Sequence, residues 1–344
     1  MDDDLTAVAA MVSGAWLTLA LRAMVRLRIA ELAAEPVGLA ELGVASGCPP
    51  ERLARLLRVL EDAALVRRQG AAWQVTDRGS LLALDHPAGH ARRVLGQTWA
   101  PTIAAWSDLS GALQDGERRF GRVDVPTDGT TMWEALSASP PELATFNAQM
   151  ASRGQAQADA LREAADLHAV RSLVDVGGGR GSLVAALLAG NPGLTATVAD
   201  RPDVVREAAA ALTEAGLDGR ADVDAVDFFD AVPPGADAYV LANILHDWGD
   251  DECVRILRVV RAAMPDTSRL WVLEKVLDAI PPRTDREATD LHLHDLHMLV
   301  LFGAAERTQG EYAGLLAEAG FGASTCRRTS TGWDLVEARP LGAA

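Results

Sequence analysis

The strongest constraint on this chain is an alternation that runs from residue 171 to residue 276. Short apolar runs, RSLVDV (171–176), TATVAD (195–200), ADVDAV, DAYVLAN (237–243) and RLWVLEKV (269–276), alternate with helical patterns at 181–189, 203–215 and 250–264. A strand that is apolar at consecutive positions is covered on both faces, and strands joined through helices run parallel. An α/β architecture with a doubly wound parallel sheet follows. Residues 322–328 and 332–338 read as a closing antiparallel hairpin at the sheet edge.

The first of these strands runs directly into Asp175-Val176-Gly177-Gly178-Gly179-Arg180-Gly181 and then into a helix. Glycines in such a turn let the backbone reverse sharply and expose amides that a Cβ would screen from a ligand. The dinucleotide fingerprint requires a third glycine at the position held here by Ser182. The third glycine is instead Gly181, and the resulting acidic-x-Gly-x-Gly-x-Gly spacing favours S-adenosylmethionine over a nicotinamide cofactor. Gly177 and Gly179 are the candidate backbone contacts. Asp200, at the end of the second strand, can accept from both ribose hydroxyls, a contact nicotinamide cofactors need equally. Asp227 and Phe228 follow the third strand and offer an acceptor for an adenine amino group beside an aromatic face.

Before the alternation the chain is mostly helical. Apolar positions at helical spacing over residues 5–34 predict a helix with two apolar faces, and residues 39–46 and 50–64 predict two further helices followed by a hairpin at Gly70. This order resembles a winged helix, and Arg52, Arg55 and Arg58 lie along its second helix. Nucleic acid is nonetheless an unfavourable partner: 32 basic against 48 acidic residues give a formal charge of −16, and Glu51, Glu61 and Asp62 flank those arginines. Residues 95–165 carry Trp99, Trp106, Phe120, Trp133, Phe146 and Met150, broken by Pro126, Pro140 and Pro141. The expected division is 1–95, 96–165 and 166–344. The acidic start and the absence of an apolar run of about 18 residues predict neither a signal peptide nor a membrane span. Cys48, Cys253 and Cys326, odd in number and far apart, fit a reducing cytoplasm.

After the fourth strand comes Leu245-His246-Asp247-Trp248. With DVGGG, the DFF segment and Glu306-Arg307-Thr308, it resembles the S-adenosylmethionine-dependent O-methyltransferases of the caffeate and hydroxyindole type, in the style of their bacterial polyketide-tailoring members. The resemblance covers nearly the whole chain. It implies a Rossmann-like sheet domain preceded by a winged-helix dimerisation domain, an intertwined homodimer, and a helical middle section lining the acceptor pocket. It also implies transfer of a methyl group to a hydroxyl oxygen of a small aromatic acceptor, with S-adenosylhomocysteine as product and no metal.

By the same resemblance His246 is the general base and Glu274 and Glu306 are its flanking acids. Phe146, Asn147 and Met150 resemble the family's substrate-facing helix, with Met298 and Phe302 expected opposite them. Two features depart from the pattern. Ala242 stands where many relatives carry lysine or another polar residue, so only a backbone contact to the cofactor is left there. His292, His294 and His297 share one helix, and no acid or cysteine with recognisable spacing completes a metal site. The competing readings are an NAD-dependent oxidoreductase on the same sheet and a winged-helix regulator that senses S-adenosylmethionine without catalysis.

Overall fold

The computed structural model describes residues 2–122 and 131–342, so Pro126 lies outside the described residues. Two compact units are present, Met1–Ile103 with Ser139–Ser152, and Ala104–Ala138 with Arg153–Ala344.

In the first unit, β1 (Val37–Gly38), β2 (Val66–Gln69) and β3 (Ala72–Val75) form an antiparallel sheet in the order β1-β3-β2, with Gly70 at φ 62° in the turn between β2 and β3. The helix Pro50–Asp62 buries Leu53, Leu57 and Leu60, one face at helical spacing, and exposes Arg52, Arg55 and Arg58. The helix expected over 5–34 is interrupted. It runs Asp2–Arg26, and Arg28 at φ 55° breaks it before the short helix Ile29–Leu32. No glycine or proline marks that break, because burial of Met24, Val25 and Ile29 in one core imposes the turn.

The expectation about membrane spans is corrected here. Asp4–Arg26 is long and apolar enough by length and composition to cross a bilayer, with mean hydropathy 1.6. Thr6, Ser13 and Thr18 interrupt the apolar pattern without adding charge. Most of the helix is uncovered in this chain: Met11, Val12 and Trp16 are each about three-quarters exposed, at 77%, 74% and 76%.

The second unit is built on a seven-stranded mixed sheet. Its strands are β4 (Ser172–Val176), β5 (Thr195–Asp200), β6 (Ala221–Ala225), β7 (Ala238–Ala242), β8 (Arg269–Glu274), β9 (Thr325–Arg328) and β10 (Asp334–Ala338), in the order β6-β5-β4-β7-β8-β10-β9. The first five are parallel, and β10 pairs antiparallel with both β8 and β9.

The continuous apolar runs now have a cause. Along β8, Leu270 and Val272 enter one core and Trp271 and Leu273 the other, and along β7 Tyr239 and Leu241 alternate with Ala238 and Val240 in the same way. Each buried Leu or Val contributes about 1.5–3 kcal/mol, so both faces of the central strands are strongly held. The strand order turns back between β4 and β7, and the crevice beyond their carboxyl ends is where open α/β sheets bind ligands.

Candidate active site

The loop after β4 puts Gly177, Gly179 and Gly181 at φ 72°, 57° and 73°, a run that side chains with a Cβ resist. A Cβ on Gly177 would also lie 2.4 Å from Ile244 Cδ1, whereas one on Gly179 would meet nothing within 4 Å. The loop is therefore packed on the Ile244 side and open at Gly179. Asp200 ties it to β5: its Oδ2 accepts from Gly179 N–H at 2.8 Å and its Oδ1 from Arg201 N–H at 2.7 Å. Gly177 N–H donates to Ala199 O at 2.7 Å. Asp227 is exposed and accepts from Phe229 N–H, while Phe228 and Phe229 pack edge-on against Trp248. Inside the turn, Asp175 is buried with Oδ2 lacking a hydrogen-bond partner among the described residues, and burial, then the nearby Asp200, pushes its pKa up to about 7. An open glycine cradle beside a strand-end carboxylate, with an aromatic face at the third strand, suits a nucleoside bearing a short charged tail.

Directly beyond β7, Asn243 adopts φ 60° and a short 3-10 turn, Leu245–Asp247, carries His246. The β7–β8 register pairs Ala242 with Leu273, which brings Glu274 beside this turn. Glu274 Oε1 accepts from the backbone N–H groups of Ile244 and Leu245, each at 3.0 Å, and its Oε2 lies 3.5 Å from His246 Nδ1.

Glu306 arrives from a different direction. The helix Asp285–Phe302 stops at Gly303 in the left-handed region, the next helix starts at the N-cap Thr308, and Glu306 and Arg307 occupy the link between them. His246 Nδ1 and Glu306 Oε1 are 3.0 Å apart. Arg307 clamps the turn, donating to the carbonyls of Leu245 at 2.9 Å and Trp248 at 2.8 Å and pairing with Asp250.

The structure thus brings His246, Glu274 and Glu306 together, all of them buried. Burial disfavours the imidazolium, but Glu274, Glu306 and Asp247 outweigh it and raise the His246 pKa to about 10. Burial raises Glu274 to about 7 and Asp247 to about 6. For Glu306 burial acts upward as well, yet the charge on His246 and the hydrogen bonds of both His246 and His294 hold it well below the usual carboxylate range.

The remaining candidates are placed as follows. Met298 is buried on the helix Asp285–Phe302, and Phe302 at its end packs against Trp133 with ring centroids 5.8 Å apart. Phe146, Asn147 and Met150 are half-buried on Pro140–Ala151, which belongs to the other compact unit. Ala242 is half-buried at the end of β7.

The histidine trio does not act as a set. His292 is exposed, His297 Nδ1 accepts from Trp106 Nε1–H at 2.9 Å, and His294 Nδ1 lies 2.7 Å from Glu306 Oε1. The donor atoms of His246, His294 and Glu306 fall within 4.8 Å of one another, a spacing that two hydrogen bonds to one oxygen account for. His294, Asp295 and Arg307 were missed as site residues; for Arg307 its place within Glu306-Arg307-Thr308 was the available signal.

Comparison with known proteins places this geometry. An O-methyltransferase domain model matches residues 106–322. The chain is 36% identical over 313 residues to a mitomycin biosynthesis 6-O-methyltransferase of Streptomyces lavendulae, covering 90% of this chain and 87% of that protein. The solved mitomycin 7-O-methyltransferase MmcR superposes with a TM-score of 0.90 at 34% identity over 99% of this chain and 98% of that one. An O-methyltransferase of neocarzinostatin biosynthesis, solved with S-adenosylmethionine and 2-hydroxy-5-methyl naphthoic acid, gives 0.80 at 31% identity over 94% and 96%. The family model spans more than half of the chain and the relatives span nearly all of it: this chain belongs to the S-adenosylmethionine-dependent O-methyltransferases, with their Rossmann-like sheet.

Proposed function

We propose that the chain methylates a hydroxyl of a small aromatic acceptor of natural-product type, with His246 as the general base. The observation that carries this reading is the hydrogen bond between His246 Nδ1 and Glu306 Oε1. A carboxylate accepts only, so the proton sits on Nδ1 and the lone pair of the neutral ring is on Nε2. In the deprotonated fraction of His246, which grows as pH rises toward its raised pKa of about 10, that nitrogen takes the phenolic proton, itself of unperturbed pKa about 10, as the oxygen becomes nucleophilic. Glu306 and Glu274 then stabilise the imidazolium. Bound S-adenosylmethionine supplies a methyl group made electrophilic by its sulfonium sulfur. Gly177, Gly179 and Asp200 are the residues proposed to hold it, with Asp227 and Phe228 at the adenine. Ala242 offers backbone contact alone. Phe146, Met150, Met298 and Phe302, with the polar Asn147, are the residues proposed to bind the acceptor, the apolar ones suiting a flat ring.

The roles of the chain's regions belong to the same proposal. Residues 1–95 form a winged-helix-type dimerisation domain, 96–165 a connecting region that serves the acceptor, and 166–344 the cofactor domain closed by an antiparallel hairpin. The uncovered apolar face of Asp2–Arg26 supports burial against a second copy in a cytoplasmic homodimer, without nucleic acid or membrane as partner. Light scattering at micromolar concentration should give twice the chain mass, and a monomer overturns the dimer.

For the catalytic reading, a panel of phenols and hydroxynaphthoates is incubated with labelled S-adenosylmethionine and read by mass. The wild type should transfer label to oxygen, and His246→Ala should bind the cofactor in calorimetry yet transfer at least a hundredfold more slowly, the ordinary worth of a general base. Full activity in His246→Ala refutes the general-base assignment.

A further inference from the structure

One carboxylate oxygen serves two imidazoles in this site. Glu306 Oε1 lies 3.0 Å from His246 Nδ1 and 2.7 Å from His294 Nδ1, and the two rings stand 5.6 Å apart with a 35° tilt. The arrangement is pinned on both sides. The backbone N–H of Glu306 donates to Asp295 Oδ1 at 2.9 Å, so the carboxylate is registered against the very turn of helix that carries His294. His297, next along that helix face, has its Nδ1 engaged as an acceptor by Trp106 and is therefore neutral.

We propose that His294 is a positioning residue that sets the basicity of His246 through the carboxylate oxygen they share. The inference rests on His246 being the base. A carboxylate oxygen with a single donor concentrates its negative potential on that donor and holds its proton tightly. A second N–H on the same oxygen takes up part of that potential, so the first proton is released more readily.

Glu274 from β8, Asp247 from the same turn and Glu306 from the helix link all surround His246 and strengthen its hold on a proton, and the second donor on Glu306 Oε1 opposes the pull of that carboxylate. Other charged or titratable groups acting on the cluster include Lys275 on His294, Asp295 beside Glu306, Tyr312 beside Glu306 and Glu274, Cys253 beside Glu274, and Arg153 on Asp247. His294 itself is held below the ordinary histidine value by burial, so it enters the shared bond as a neutral donor. Of all these groups it alone shares with His246 a hydrogen bond to Glu306 Oε1 among the described residues.

The test reads His246 directly, without acceptor or turnover, so its failure is distinct from failure of the methyl-transfer reading. The ring resonances of isotopically labelled histidine are titrated by NMR in the full-length chain. His294→Leu removes the second donor, and the His246 midpoint should rise by about half to one pH unit, three- to tenfold in proton affinity, the worth of one hydrogen bond. His294→Asn places an amide N–H where the histidine Nδ1–H stood and should return the midpoint to near the wild-type value; it also keeps the polar volume should the leucine variant fail to fold. In a Glu306→Gln background the His294→Leu shift should vanish. A midpoint that stays or falls in His294→Leu, or fails to return in His294→Asn, overturns the proposal. A shift that survives Glu306→Gln shows direct coupling between the rings and overturns the shared-oxygen mechanism.

Discussion

Replacing Glu274 by glutamine separates the charge of this residue from its geometry. Glu274 is fully buried, and its Oε1 accepts two backbone N–H groups at 3.0 Å, a task the glutamine carbonyl oxygen can take over. Its Oε2 has no hydrogen-bond partner among the described residues and stands 3.5 Å from His246 Nδ1. At that distance and an effective dielectric of about 20, Coulomb's law gives about 5 kcal/mol between full charges, equivalent to roughly three and a half pKa units. The full amount is not realised, because burial moves Glu274 itself to about 7 and leaves it only partly ionised near neutrality. The His246 midpoint in Glu274→Gln should therefore fall by about one to two units. The direction has a kinetic signature. The ascending limb of kcat/KM against pH moves to lower pH because free base is present earlier, while the plateau drops because the imidazolium formed in the reaction has lost a counter-charge. NMR titration of His246 and a pH–rate profile with a phenol that stays protonated across the range measure the two effects separately. A His246 midpoint that is unmoved or raised refutes the reasoning.

Three further outcomes follow from the same physics. Asp175, raised from 3.8 to about 7 in the folded chain, binds a proton that the unfolded chain has already released between those values. Stability should thus decline by up to about 4 kcal/mol as pH rises from 4 to 7, and Asp175→Asn should flatten that slope in urea titrations; an unchanged slope contradicts the assignment. Gly177→Ala forces a Cβ to within 2.4 Å of Ile244 Cδ1 at φ 72°, so a loss of about 1–3 kcal/mol in stability and a tenfold or greater loss of S-adenosylmethionine affinity are expected. Calorimetric affinity equal to wild type would show that the loop tolerates the side chain. Arg307→Met removes the guanidinium donor from the Leu245 and Trp248 carbonyls, although Cys253 Sγ still reaches them at 3.1 and 3.5 Å and Trp248 N–H still donates to Leu245 O at 3.3 Å. The urea midpoint should fall by an amount worth about 2–4 kcal/mol, and a change under about 1 kcal/mol would mean that water replaces the clamp.

The sheet was legible in the sequence because its central strands send consecutive side chains into two different cores, as Leu270 and Trp271 do, and that leaves an unbroken apolar run. The glycine loop was legible because three left-handed residues in five admit little else. The break at Arg28 was not, since an arginine in the left-handed region is imposed by what the neighbouring Val25 and Ile29 bury, and no local pattern encodes that. The apolar reach of Asp4–Arg26 was underestimated because scattered Thr and Ser conceal a stretch without charge.

The catalytic cluster shows where local reading ends. Glu274 lies 28 residues from His246 and Glu306 another 32 beyond, and no periodicity links them. Once β7 and β8 are paired, however, Ala242 faces Leu273, and the residues that follow, Asn243 and Glu274, must emerge side by side at the strand ends. Strand register thus delivers the first carboxylate. The second depends on where a helix stops: Gly303 ends one and Thr308 begins the next, and only a link of that length presents Glu306 to the crevice. His294 depends on both. Helical spacing associates it with His297, yet its short contact is to Glu306, because the chain doubles back after Gly303 and lays the link beside the helix it has just left. A histidine whose partner is set by a helix terminus eight residues later cannot be assigned from its own helix face, and a site residue of that kind becomes visible only when the terminus, the strand register and the base are seen in one place.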